Sequence, residues 1–257
     1  MLLLLASVAC GRQQEKTEDA SESMIMQSYV AQGDSMMYGL ACDGCSDSVL
    51  VLLPDSGGDP ISYSIVRAMR ERQIFGRPQI GDKMAVRVNP ENPKELLVVI
   101  DLEQVKGTWY YVQSPQLREH LRSDSMTAIL AELSDEERAR LDSALQSMMV
   151  PREYVYTLKR DFTVMSSGGP PRANSLEGEL PVVYPPLTRY MEWHVFNGKI
   201  IFTSGGYRMS GTNDSVPLRN DTAEFVLLRR DTMALRFRDH VQGFRLKPDS
   251  TLTDEKR

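Results

Sequence analysis

The sequence predicts a mainly β protein with minor α. The expected order is a small N-terminal β module, then an antiparallel up-and-down barrel with a helical insertion. Three observations carry this. Short apolar-rich runs bounded by Gly, Pro, Asn and Asp recur from about residue 36 to residue 247. Asn197-Gly198 sits between two such runs and tolerates the positive φ that a two-residue hairpin demands. Helical spacing is confined to two segments, one near residue 65 and one after residue 134.

In chain order, MMYGLAC (36–42) and SVLVLLP (48–54) read as strands, the second ended by Pro54. DSGGDP (55–60) is a loop dense in turn formers. Residues 61–73 place Ile61, Ile65, Val66 and Met69 on one helical face and predict a helix of about three turns. Gly81-Asp82 turns into the strand KMAVRVN (83–89). Pro90 and Pro93 break the chain before the strand LLVVIDL (96–102). These elements predict a barrel-like or sandwich module over residues 24–105.

A second module is expected over residues 106–249. KGTWYYVQ (106–113) opens it as a strand. Its Gly107-Thr108-Trp109 resembles the Gly-x-Trp start of lipocalin-like barrels. That resemblance implies that Trp109 plugs the closed end and that a late arginine, from among Arg236, Arg238 and Arg245, packs over it. The helical insertion spans residues 115–149. In it Ser134 and Glu137 form a capping box, Leu141, Ala144, Leu145 and Met148 share a face, and Pro151 ends the helix. Strands are expected over 153–167, 188–196, 199–205, 223–230, 232–239 and 243–247, with Arg230-Asp231 turning a second hairpin. The Pro- and Gly-rich loop 167–186 is long enough to suggest a functional role. Residues 250–257 read as a frayed tail.

The first 23 residues give an address. MLLLLASVA (1–9) is apolar but too short to span a bilayer, and its small-residue exit reads as a signal-peptide cleavage region. Cys10 follows directly, an arrangement that resembles the lipobox of bacterial lipoproteins and implies acylation of that thiol. Ser7 stands where the lipobox prefers Leu, and the leader has no basic start; both fit a start codon upstream of Met1. Residues 11–23 are polar and charged, the composition of a flexible tether. The stretch GLACDGCSDSVLVLLPDSGGDPISYSI (39–65), continued through GDK and KGTW over residues 36–112, resembles uncharacterised cell-envelope lipoproteins of gut Gram-negative bacteria. The resemblance implies an outer-membrane lipoprotein, periplasmic or surface-exposed, and no particular activity.

A net charge of -5 without a basic cluster argues against nucleic acid as a partner, since phosphate binding needs grouped Lys and Arg. Cys42 and Cys45 are spaced for a disulfide or inert thiols, for a redox pair, or for half of a zinc site. The zinc reading lacks a second ligand pair, since His120, His194 and His240 are scattered, and the redox reading lacks a helix after the motif. Asp43, Asp47, Asp55 and Asp59 do not match a calcium loop and read as turn residues. No nucleophile, zincin or phosphate-loop motif is present, so no catalytic residue, metal or cofactor is expected. The strands distribute Trp109, Tyr111, Tyr154, Tyr156, Tyr190, Trp193, Phe202 and Phe237 around the barrel, whose interior either fills with side chains or holds one small ligand. The function expected is thus a non-enzymatic binding module, held to a membrane by lipid, for a small apolar ligand or an envelope protein. The alternatives are an assembly subunit of an outer-membrane complex and a thiol redox protein using Cys42 and Cys45.

Overall fold

The computed structural model describes residues 33–118, 131–169, 182–205 and 217–248. The leader, Cys10, the tether, His120 and the tail lie outside these residues. The chain forms two compact units, Met1–Ser35 and Met36–Arg257. Of the first, only residues 33–35 are described; the second holds both barrels.

The N-terminal barrel is built from β1 (Met37–Ala41), β2 (Val49–Pro54), β3 (Ile61–Ser64), α1 (Val66–Arg70), β4 (Ile74–Phe75), β5 (Lys83–Asn89) and β6 (Asn92–Asp101). The strand order is β3-β2-β1-β5-β6-β4, and a parallel pairing of β3 with β6 at Ser64 and Glu95 closes five strands on themselves. A helix lies between the third and fourth of those five. This is the connectivity of the OB-type barrel. Alternation along β2 and β5, with a register shift in β6 at Leu97, fills it: Leu50, Leu52, Met84, Val86, Leu96 and Val99 point inward and are buried.

Two local expectations are corrected here. Residues 61–64 form a strand, and the helix is limited to Val66–Arg70. Ile61, Tyr63 and Ile65 also alternate with period two, and pairing with β2 buries Tyr63, which a surface helix would not do. Pro93 lies inside β6 instead of before it. The strand there is exposed, and Asn89 pairs with Asn92 across a turn made by Pro90 and Glu91. An exposed strand start is one of the few sheet positions where proline costs no ladder hydrogen bond.

Chain reversal into the second barrel runs through α2 (Leu102–Val105). Asp101 is its N-cap, accepting from the backbone N–H of Glu103 at 3.0 Å and of Gln104 at 3.1 Å, and from Gln104 Nε2 at 2.6 Å. The strands that follow are β7 (Gly107–Gln113), β8 (Gln116–Leu117), β9 (Arg152–Leu158), β10 (Val164–Gly168), β11 (Val182–Val183), β12 (Tyr190–Phe196), β13 (Lys199–Ser204), β14 (Arg219–Arg229), β15 (Thr232–Arg236) and β16 (Val241–Leu246), with α3 (Asp135–Met148) between β8 and β9. Eight of them form one antiparallel sheet in the order β10-β9-β7-β16-β15-β14-β13-β12. Its two edges meet through a bridge between Thr163 and Glu192 and a 2.8 Å bond from Trp193 N–H to the Phe162 carbonyl. The sheet is therefore a closed up-and-down barrel, as the sequence predicted. β8 and β11 pair separately as a two-stranded ribbon.

Residues 153–167 are two strands, not one. Lys159 to Phe162 turn the chain, and Asp161 accepts from the Thr163 backbone N–H and hydroxyl. The polar Lys-Arg-Asp sequence is the turn signal. Asn197 and Gly198 have φ of 51° and 77° and make the tight β12–β13 hairpin that the dipeptide predicts. α3 carries the complete capping box of Ser134 and Glu137, yet none of its residues is buried, so Leu141, Ala144, Leu145 and Met148 do not form a core face among the described residues.

The base of the eight-stranded barrel rests on the N-terminal barrel through one continuous core. Phe75 lies 5.5 Å from Phe225 between ring centroids, Gly76 N–H bonds the Leu228 carbonyl at 3.0 Å, and Tyr38 Oη donates to the Val195 carbonyl at 2.8 Å. Trp109 is fully buried in this core and donates from Nε1 to the Val105 carbonyl at 2.8 Å. Gly107, at φ 133°, lets the strand start under Leu246, whose Cδ1 would lie 2.7 Å from any Cβ there.

Asp101 generates a pH dependence. Burial, reinforced by the charge of nearby Asp82, outweighs its three hydrogen bonds and pushes its carboxyl up to about 7. A carboxyl raised in the folded state contributes stability that is complete below its unfolded value of about 3.9 and is lost as pH rises through the folded value. Wild-type unfolding free energy should therefore fall between those two values. Asp101→Asn keeps a capping oxygen and should flatten that part of the profile in urea titrations across pH. An unchanged slope would contradict the assignment.

Candidate functional site

Inward positions of the eight-stranded barrel sort into a closed base and an open cup. Alternation along β7 sends Trp109 into the base and Tyr111 and Gln113 upward. Across the barrel, Tyr156, Tyr190, Phe202, Phe237 and Phe244 continue the wall. Their rings form a chain: Phe244 meets Tyr111 edge-on at 5.5 Å, Tyr156 meets Tyr190 at 5.4 Å, and Phe202 lies 4.8 Å from Tyr190. Phe202 then leads to Phe237 at 6.4 Å, and Phe237 to His240 at 5.2 Å. Such offset and edge-on contacts are the favoured ring arrangements. Above this belt opens a cavity of about 1040 Å³, whose walls include Tyr111, Tyr156, Tyr190, Phe237 and Phe244 and whose rim carries Arg219, Asp221, Arg238, Asp239 and His240.

Charge is segregated between floor and rim. Burial, then the neighbouring Tyr111 and Tyr190, drives the Tyr156 phenol far above its ordinary range. Burial, then Asp221, raises Tyr190, and burial raises Tyr111. The floor is thus uncharged but keeps hydroxyl groups. At the rim, Tyr190 Oη donates to Asp221 at 3.0 Å, and Arg219 Nε donates to the same carboxylate at 3.2 Å. Asp239 accepts from His240 Nδ1 at 2.7 Å, which holds its carboxyl below the usual range.

The segment 184–189, with no regular structure, crosses one side of the mouth. Tyr154 Oη donates to the Pro185 carbonyl and Tyr156 Oη to the Thr188 carbonyl. Tyr184 Oη bonds the Val150 carbonyl at 2.7 Å, and the Arg152 guanidinium lies 4.3 Å above the Tyr184 ring. Pro185, Pro186 and Thr188 line the cavity, so these anchors shape its entrance.

The predicted site residues fall in different places. Cys10 lies outside the described residues. Cys42 and Cys45 lie in the loop between β1 and β2 as free thiols, one of the two forms the disulfide-or-inert-thiol reading allowed. Cys45 Sγ faces backbone, donating to the Cys42 carbonyl at 3.1 Å and accepting from Val51 N–H at 3.3 Å. Trp109 is buried in the barrel base, but none of the three arginines joins it. Arg236 follows buried Leu235 and faces out, 3.7 Å from Glu224. Arg245 pairs in register with Tyr110, on the face opposite Trp109, and Arg238 is at the rim of the cup. The residue in register with Trp109 is Leu246, because strand alternation puts Arg245 on the other face. Tyr111, Tyr156, Tyr190 and Phe237, from the eight aromatics singled out in the sequence, come together in the cup; Trp193 lies in the buried core with Trp109.

Sequence reading missed Phe244, Arg219, Asp221, Asp239 and His240. Asp221 sits two positions before inward-facing Ala223, so the period-two pattern of β14 could have located it once the strand start at Arg219 was known. His240 stands in the link between two strands, where no periodicity points to a site.

The cup has no described nucleophile–base pair. The Asp239–His240 contact is the arrangement of an orienting carboxylate and an imidazole, but the two side chains are 83% and 55% exposed, and no Ser, Thr or Cys hydroxyl or thiol bonds the ring among the described residues. No cluster of three His, Cys, Asp or Glu able to hold a metal occurs among the described residues. The loops of the N-terminal barrel that would meet a ligand in an OB-type fold carry Asp43, Asp47 and Glu91 with no Lys or Arg, which disfavours a phosphate backbone there. Comparison with protein-family models, curated proteins and solved structures gives no match.

The strap anchors are testable. Tyr154→Phe removes one donor without removing the ring, at a cost of about 1 kcal/mol. Amide exchange of residues 182–189, read by mass spectrometry, should quicken by about fivefold, the same energy as a population ratio. Exchange equal to wild type would show that the Tyr154 bond does not hold the segment.

Proposed function

We propose that this chain is a cell-envelope lipoprotein whose C-terminal barrel binds a small ligand in its open cup and performs no chemistry on it. The carrying observation is the cavity of about 1040 Å³ above an aromatic floor in a barrel sealed at the other end. A cup of this size lies at the upper end of the range of small-molecule sites, and its lining joins aromatic rings to a larger set of polar and charged side chains such as Gln113, Asn220 and Gln242. The walls are strands of a closed sheet, so the site is preformed and its occupation needs little ordering.

The address rests on sequence alone. The apolar run before Cys10 and the polar leash after it support lipid anchoring, with the barrels held outside the cytosol. No described helix is long and apolar enough to cross a membrane.

Two measurements test these two halves. The neutral dye N-phenyl-1-naphthylamine should brighten on titration into the protein and saturate at one molecule per chain. Gln242→Trp, which places an indole in the cup wall, should cut that affinity by about tenfold or more, the effect of losing about 1.4 kcal/mol. Unsaturable brightening, or brightening indifferent to Gln242→Trp, would exclude the cup as the binding site. For the anchor, Cys10→Ser should move the protein from the membrane pellet to the soluble fraction; continued pelleting would contradict acylation at Cys10.

A further inference from the structure

The distribution of free donors around the rim indicates which ligand class the cup accepts. The two rim carboxylates among the described residues each accept hydrogen bonds. Asp221 accepts from Tyr190 and from Arg219, and Asp239 accepts from His240. Arg219 spends only its Nε on that contact, which leaves its terminal N–H edge uncommitted among the described hydrogen bonds. Arg238 makes no hydrogen bond or ion pair among the described residues; its field helps to keep Asp239 ionised. The rim therefore offers two guanidinium groups with donors to spare, beside the two carboxylates and above a floor of uncharged rings.

We propose that the cup takes a ring-bearing organic anion, with its ring body against the aromatic belt and its acidic group at the rim by Arg219 and Arg238. This rests on reading the cup as a ligand site and specifies the ligand for it. A guanidinium fork matches a carboxylate or sulfonate in two parallel hydrogen bonds, a geometry that a lone ammonium cannot offer. The rings supply faces and edges for stacking a planar body, and the Tyr111, Tyr156 and Tyr190 hydroxyls tolerate a polar substituent at depth. An organic cation fits less well: Asp221 is already paired with Arg219 and bonded to Tyr190, and Arg238 would repel it. A purely aliphatic ligand would leave both guanidiniums without an acceptor.

The test uses three probes with one naphthalene ring: 2-naphthoate, 2-naphthalenemethanol and 2-naphthylmethyl-trimethylammonium. Each is titrated calorimetrically into the full chain. The proposal expects 2-naphthoate to bind about tenfold more tightly than the other two, the usual worth of one charge-assisted contact. Arg238→Ala is a rim substitution outside the core and should remove most of that preference, lowering the naphthoate affinity by more than it lowers that of the neutral alcohol. Arg238→Lys, which keeps the charge but loses the fork, should fall between. If the cation or the alcohol binds as well as the naphthoate, or if Arg238→Ala lowers all three affinities alike, the anion assignment is overturned while the cup remains a binding site. If none of the three binds, the reading of the cup as a ligand site fails with it.

Discussion

The indole of Trp109 is the point from which the second barrel is organised. It is fully buried, its single polar atom is satisfied by the Val105 carbonyl, and it sits one inward position below the floor of the cup. A large aromatic buried with its N–H paired contributes area without leaving a polar debt. Because the acceptor belongs to α2, the same bond fixes the short helix that joins the barrels. Asp101 caps that helix from the other side. The base is thus sealed by the junction, and the opposite end is left to be open.

That asymmetry sets the electrostatics of the cup. The tyrosines of the floor are neutral near pH 7 at their ordinary value and burial raises them further, so they are hydrogen-bonding groups without charge. The charged groups, by contrast, sit where water can reach them, at strand ends and in the link between β15 and β16. Two tyrosines serve both purposes: Tyr154 and Tyr156 contribute to the aromatic core and use their hydroxyls to hold the segment 184–189 at the mouth. The proposed ligand class follows from this division between a neutral, ring-lined interior and a donor-rich rim.

Much of the architecture was legible from local chemistry. Asn197-Gly198 specifies its hairpin because few other dipeptides accept two positive φ values in succession. Ser134 and Glu137 specify a helix start for the same kind of local reason. Residues 61–64 were misread because Ile61, Tyr63 and Ile65 satisfy a strand period as well as Ile61, Ile65 and Met69 satisfy a helical one, and only pairing with β2 decides between them. The site was half legible. Alternation identifies the tyrosines as inward candidates, but whether they fill the barrel or line a cavity depends on the size of every other inward residue. The arginines were placed wrongly because packing over Trp109 requires the correct strand parity, and Leu246 has it where Arg245 does not.

The dependence of this arrangement on the sealed base is best tested by replacing the seal. Trp109→Ala should lower the urea unfolding free energy by about 3–5 kcal/mol, the range for deleting a buried large aromatic, with the loss seen alike by far-ultraviolet circular dichroism and by the fluorescence of Trp193. A loss below about 1 kcal/mol, within the range of an ordinary surface substitution, would contradict the account.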